Sequence, residues 1–111
     1  MLSIDNADLC GVIGNLLENA LEACAYVIGD KWIAVTIKEI RGELVLLVEN
    51  SFDGYSRLRG DMPVSRKRRN RMGSGLLSVK KTAEQYAGSA AFKPDAQAGV
   101  FCSEVFLKIQ V

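Results

Sequence analysis

Apolar residues recur at helical spacing from Leu9 through Val12, Ile13, Leu16, Leu17, Ala20, Leu21, Cys24 and Val27 to Ile28. This pattern predicts a helix over 8–28. Asp8 sits near its start, where a carboxylate suits the helix dipole, and Gly29-Asp30 ends it. At about 100° per residue the apolar positions fill one broad arc, and Asn15, Glu18, Asn19 and Glu22 fall together on the other. Residues 31–40 (KWIAVTIKEI) and 43–50 (ELVLLVEN) are rich in β-branched residues and read as strands, with Arg41-Gly42 as a hairpin turn. The second run is apolar almost throughout, which predicts a central strand. Periodicity then disappears from 51 to 72, a loop length that in compact domains usually means function or disorder. Met72-Gly73-Ser74-Gly75 leads into a second helix, LLSVKKTAEQYA, stopped by Gly88. Residues 89–94 and 100–109 read as a closing strand pair joined by a Pro-Asp-Ala-Gln-Ala-Gly turn.

Helix, strand, strand, long loop, helix, strand, strand is an order dominated by hairpins. It predicts an α+β fold: a two-layer sandwich with a mixed, mostly antiparallel sheet and the helices on one face. A chain of 111 residues suits a single domain, residues 1–111. No apolar run approaches the roughly 18 residues of a membrane span.

Composition narrows the chemistry. Histidine is absent from the sequence, which excludes Ser-His-Asp and Cys-His catalysis and histidine-ligated zinc. The three cysteines, Cys10, Cys24 and Cys102, are widely spaced and odd in number, which favours reduced core thiols over a disulfide framework or a metal site. The formal net charge is only +1, yet nine of the fourteen basic residues fall in 57–81 with Asp61 as the one acid. That concentration suggests a local anion site or a charged loop.

Each candidate feature has a plain reading beside a functional one. The polar stripe is either a solvated face or a site. Asparagine is a middling helix former, so lysine or glutamate would serve a solvated face better. Its amide oxygen is also a neutral, hard ligand suited to Mg²⁺. The Gly73-Ser74-Gly75 entry to a helix is either a common glycine pair or a phosphate cradle of exposed N–H groups. The RKRRNR run is a solvated loop, a phosphate contact or a nucleic-acid contact, and it lacks the interleaved aromatics of a single-strand binder. Asn50, ending an apolar strand, is either a turn former or a side chain reaching into a site.

Taken together these segments resemble the GHKL ATPase superfamily, whose ATP fold is called the Bergerat fold. DLCGVIGNLLENALEAC looks like its N-box, VENSF stands where the G1 box belongs, and MGSGLLSVKKTAEQYAG resembles the G2 box and the helix behind it. NLLENALEA, and Asn-Ser where other kinases carry Asp-x-Gly-x-Gly, are most similar to sensor histidine kinases of the peptide-pheromone, quorum-sensing (Agr-like) type.

The resemblance implies ATP and Mg²⁺ as ligands. Asn19 would hold the Mg²⁺, with Asn15 one turn earlier lining the same catalytic site and Glu22 at the edge of the nucleotide pocket. Asn50 occupies the position of the aspartate that reads the adenine amino group. Gly73, Ser74, Gly75 and Leu76 would present backbone N–H groups to the phosphates. Residues 52–71 would form a lid, with Lys67, Arg69 and Arg71 as phosphate contacts. Two departures stand out: Asn50 is an uncharged acceptor, and Phe52 replaces a G1 glycine.

The resemblance also separates kinase from hydrolase. Hydrolysing members have a glutamate base where Asn15 stands, and asparagine takes no proton from water at neutral pH. Phosphoryl transfer needs positioning and charge neutralisation more than such a base. The implied function is transfer of the ATP γ-phosphate to a histidine on a separate dimerisation and phosphoacceptor segment. The family works as homodimers on the cytoplasmic side of the membrane, upstream of a response regulator and without nucleic acid. The alternatives are an anti-sigma-factor-type serine kinase of the same fold, or a catalytically weak nucleotide-binding signalling module.

Overall fold

The computed structural model describes residues 4–63 and 74–109. Its elements are α1 (Asn6–Cys24), β1 (Ile33–Ile40), β2 (Glu43–Ser51), β3 (Leu58–Arg59), β4 (Met62–Pro63), α2 (Ser74–Gln85), β5 (Ser89–Asp95) and β6 (Val100–Lys108). One four-stranded sheet runs in the order β1-β2-β6-β5, and all its pairings are antiparallel. The expected two-layer α+β arrangement is therefore present, and β2 is central as its apolar run implies.

Strand phase decides which side chains meet the helices. Leu44, Leu46, Val48 and Asn50 of β2 are buried on one face, as are Phe101, Ser103, Val105 and Leu107 of β6. Helix α1 lays Val12, Leu16, Ala20 and Cys24 against this layer, four buried positions at four-residue spacing. Val79 and Ala83 of α2 join the same core. The helices do not cover the whole sheet. Val35 and Ile37 of β1 lie opposite Val48 and Leu46, hence on the same face, yet both are exposed.

The boundaries of α1 differ from those the periodicity suggests. Its N-cap is Asp5, whose carboxylate accepts from the Ala7 N–H at 2.7 Å, so the helix starts earlier than Asp8. It ends at Cys24, well before Gly29. Val27 and Ile28 continue the apolar spacing without continuing the helix, and Ile28 is 101% exposed. Leu21 also departs from the apolar arc, being 63% exposed.

The turns follow from backbone sterics. Arg41 and Gly42 both take positive φ, 50° and 80°, as a two-residue hairpin of the twist-matching type requires. Helix α2 ends in a Schellman arrangement, with Gly88 N–H donating to Ala83 O and Ala87 N–H to Glu84 O. The left-handed residue is Ala87, φ 55°, and not Gly88 as a glycine stop suggests. Gly88 is needed for another reason: a Cβ there would collide with the Phe106 carbonyl of β6.

The segment after β2 is not wholly irregular. Gly60 at φ 65° turns the chain so that Leu58 pairs with Pro63 and Arg59 with Met62. Met62 is buried, which fixes this small hairpin to the core. Lys80 of α2 reaches Asp61 beside it at 3.2 Å. The RKRRNR run lies outside the described residues.

The two helices are also pinned through Tyr86. Its hydroxyl donates to Asp8 Oδ2 at 2.6 Å and accepts from the Asp5 N–H at 3.1 Å. The bond to the Asp8 carboxylate holds the phenol pKa above its ordinary value of 10.0. A raised pKa means that the folded state favours the protonated phenol. The contribution is then present below the ordinary phenol range and lost as pH rises through the folded value. Urea unfolding of the wild type and Tyr86→Phe from pH 7 upward should show a constant stability difference that shrinks above pH ~10; a difference independent of pH would reject this pin.

Candidate functional site

Among the described residues, the sequence-predicted ones lie on α1, at the end of β2 and in the first turn of α2. Asn15, Asn19 and Glu22 lie on α1 and are all half-buried, whereas Glu18 on the same stripe is exposed. The stripe is thus not a uniformly solvated face. Gly75, in the first turn of α2, lies directly against Asn15. A Cβ built on it would stand 3.1 Å from Asn15 Oδ1, so a side chain there would press on the amide. Leu76 follows as a buried core residue that seats the helix start. The first turn of α2, the end of a helix that favours negative charge, therefore abuts Asn15 of α1. Ser74 is the first residue of α2; Lys67, Arg69, Arg71 and Gly73 lie outside the described residues.

Asn50 ends the helix-facing row of β2 and is 0% exposed. Its Nδ2 donates to Ser51 O at 2.9 Å, while its Oδ1 has no hydrogen-bond partner. Flipping the amide would set oxygen against oxygen, so the Ser51 carbonyl determines which end is free. The free end is an acceptor, the same polarity that an aspartate would present there, without the charge.

The chain around Asn50 is held from three sides. Ser51 N–H donates to Trp32 O at 3.0 Å, and the Trp32 N–H donates to Ser51 Oγ at 3.0 Å. Cys24, the last residue of α1, donates its thiol to Ser51 O at 3.5 Å. This cysteine ties the end of α1 to the residue that orients Asn50. Phe52, at a position where the resemblance implies a glycine, turns into the core and packs edge-on against Phe101, ring centroids 5.9 Å apart at 76°. Its N–H donates to Gly99 O at 3.1 Å. The larger residue therefore serves as a core anchor. Gly54, two residues on, takes φ 89°, which a side chain would resist.

The expectation of three core thiols holds for one. Cys24 is buried, Cys10 is exposed and Cys102 is intermediate; all three are free. Cys10 falls on the side of α1 away from the Val12, Leu16 and Ala20 row. Partial burial raises the Cys102 thiol pKa, with Glu104 and Glu49 adding to the shift and Lys93 opposing it.

Ser103 was not marked by the sequence pattern. It sits on β6 opposite Val48 of β2, 1% exposed, and its Oγ also lacks a partner. A single hydroxyl in an alternating apolar strand (VFCSEVFLK) is the only trace it leaves in the sequence.

The architecture is that of a GHKL domain. The chain belongs to that family: the model described as GHKL domain matches residues 4–108, nearly the whole chain. No curated protein matches it. Among solved structures it is similar to the catalytic domain of histidine kinase ThkA in a nucleotide-free form, with TM-score 0.62 and 20% sequence identity. That similarity covers 96% of this chain and 70% of the ThkA chain, and it establishes the shared fold.

The thiol environments give a direct check. A chromogenic disulfide reagent should modify Cys10 at once, Cys102 slowly and Cys24 only on unfolding. Rapid reaction of Cys24 in the native chain would contradict its bond to Ser51.

Proposed function

We propose that the chain is the ATP-binding catalytic domain of a sensor histidine kinase of the peptide-pheromone, quorum-sensing type. In this reading it passes the γ-phosphate of ATP to a histidine on a separate dimerisation and phosphoacceptor segment. The observation that carries the reading is the unpartnered, fully buried Oδ1 of Asn50 at the end of β2; the first turn of α2, which abuts Asn15, supports it. A buried acceptor without a partner costs about 1–3 kcal/mol, so a ligand that supplies a donor is favoured there. The adenine amino group is such a donor. Because Asn50 is sealed, nucleotide entry has to displace the side chains that cover it.

The remaining roles follow from the chemistry of each group. Asn19 offers one neutral amide oxygen, the kind of single hard ligand Mg²⁺ accepts when phosphates and water complete its shell. When bound, that ion would neutralise phosphate charge. Asn15 lines the same space, and Glu22 lies one turn beyond Asn19. The N–H groups of Ser74, Gly75 and Leu76 at the start of α2 would receive the phosphates, together with Gly73 and the side chains of Lys67, Arg69 and Arg71. With asparagine at position 15 no carboxylate stands ready there to activate water, which favours transfer over hydrolysis.

The absence of histidine from all 111 residues supports a phosphoacceptor outside this chain. The parent would be a homodimeric membrane receptor with this domain on the cytoplasmic side, acting on a response regulator.

Calorimetry should detect weak Mg-ATP binding by the 111-residue chain. Asn19→Ala should remove its Mg²⁺ dependence, and radiolabelled ATP should leave no phosphohistidine on the chain alone. Transfer should occur once the dimerisation and phosphoacceptor helices are supplied. No binding at millimolar Mg-ATP would overturn the proposal.

A further inference from the structure

The four-stranded sheet ends in β1 on one side and β5 on the other, and the two edges are finished differently. Alternate residues of an antiparallel strand turn their N–H and C=O groups to the same neighbour. The Ser51 N–H donates to Trp32 O, and Ile40 closes the two-residue turn against Glu43. Trp32, Ala34, Thr36, Lys38 and Ile40 therefore bond to β2, while Ile33, Val35, Ile37 and Glu39 turn their backbone groups outward. The same alternation, fixed by the Phe52 N–H on Gly99 O, turns Ala90, Phe92 and Pro94 outward from β5. Pro94 has no N–H to offer, and Lys93 of β5 is held in an ion pair with Glu104. Proline and charge are both devices that blunt a free edge. β1 has no proline, and its register with β2 is unbroken from Ile33 to Ile40. It is also apolar where it is open. Among the described residues, Trp32, Val35, Ile37 and Ile40 are exposed large apolar side chains that fall on this strand or immediately before it.

We propose that β1 is an interface between two copies of this chain, which pair their β1 edges antiparallel about a two-fold axis at Thr36 and join their sheets into one. The interface does not depend on the nucleotide reading. Its register is set by the strand itself, because outward backbone groups meet only when odd positions face odd positions. With Thr36 opposite Thr36 of the second copy, Ile33 meets Glu39 and Val35 meets Ile37, so every outward group of the strand is paired. The same register serves the side chains. On the helix side Val35 meets Ile37 on either side of the axis, at positions that α1 leaves uncovered. On the opposite face Trp32 comes against Ile40 at each end, an aromatic and β-branched pair of the kind that stabilises sheets. All four exposed apolar side chains thus gain apolar partners. No like charges come opposite one another, since Lys38 faces Ala34. A slip of two residues in either direction loses this match. Centred on Ile37, Val35 meets Glu39 and Ile33 meets Arg41 of the turn. Centred on Val35, Ile40 meets Asp30 and Trp32 meets Lys38. A two-fold contact closes on itself, so the assembly ends at two copies.

Two paired strand edges make a small interface, so sedimentation of the 111-residue chain should show monomer and dimer in an equilibrium that shifts with concentration. Val35→Lys, at an exposed position, should fold normally and stay monomeric. The register is tested by disulfide trapping in a Cys10→Ser background, which removes the exposed thiol. Thr36 meets its own copy as a non-hydrogen-bonded pair, where Cα atoms stand about 4.5 Å apart. That spacing is within disulfide reach, so Thr36→Cys should give a covalent dimer on mild oxidation. Lys38→Cys should not, because the two thiols would be displaced by about 13 Å along the strands. Cross-linking of both cysteine variants to the same extent, or of neither, would overturn the proposal. So would a wild-type chain that stays monomeric up to roughly 1 mM, or a Val35→Lys variant that dimerises as the wild type does. Failure of the chain to bind Mg-ATP would remove the nucleotide reading and leave each of these outcomes unchanged.

Discussion

A buried carbonyl oxygen with nothing to bond to is costly, and this fold holds one in place at Asn50. The amide is not free to rotate away, because its Nδ2 is engaged by the carbonyl of Ser51. Ser51 in turn is fixed by Trp32 ahead of β1 and by Cys24 at the end of α1. The same contacts set the height of α1 over the sheet. Val12, Leu16 and Ala20 of the same helix then face the sheet layer that buries Asn50. The stability of the sandwich comes from the Leu16, Leu46, Val79 and Leu107 core. The site depends on the short network at its edge.

Helix α2 completes the arrangement through two glycines with different duties. Gly75 lets the first turn of α2 come up against the Asn15 amide, and Gly88 lets the chain after the helix pass the Phe106 carbonyl. The first brings backbone N–H groups beside the polar face of α1. The second fixes where β5 starts, and so the register of β5 on β6. The Tyr86 bonds to Asp5 and Asp8 hold the far ends of the two helices together.

Much of this was legible in the sequence, for physical reasons that differ by element. The β1–β2 hairpin was readable because Arg41-Gly42 offers a backbone solution that few other pairs do. The central position of β2 was readable from its unbroken apolar run. The helix ends were not. Asp5 outcompetes Asp8 as a cap because its carboxylate reaches the Ala7 N–H, and Val27 and Ile28 mimic helical spacing after the helix has stopped. The β3–β4 hairpin was hidden because two-residue strands carry no periodicity. Phe52 read as a loss at a glycine position, yet its ring is a core anchor against Phe101. Asn50 was visible as a polar end to an apolar strand. Ser103 and the structural duty of Cys24 required knowing which residues face each other across the sheet.

The central claim is that Asn50 meets the base of a bound nucleotide. Its most direct test is the side-chain amide resonances of Asn50 in an isotopically labelled chain, followed as Mg-ADP is added. The account predicts saturable shifts of the Asn50 amide together with the backbone N–H groups of Gly75 and Leu76. Saturation of other resonances while Asn50 stays unmoved would contradict it.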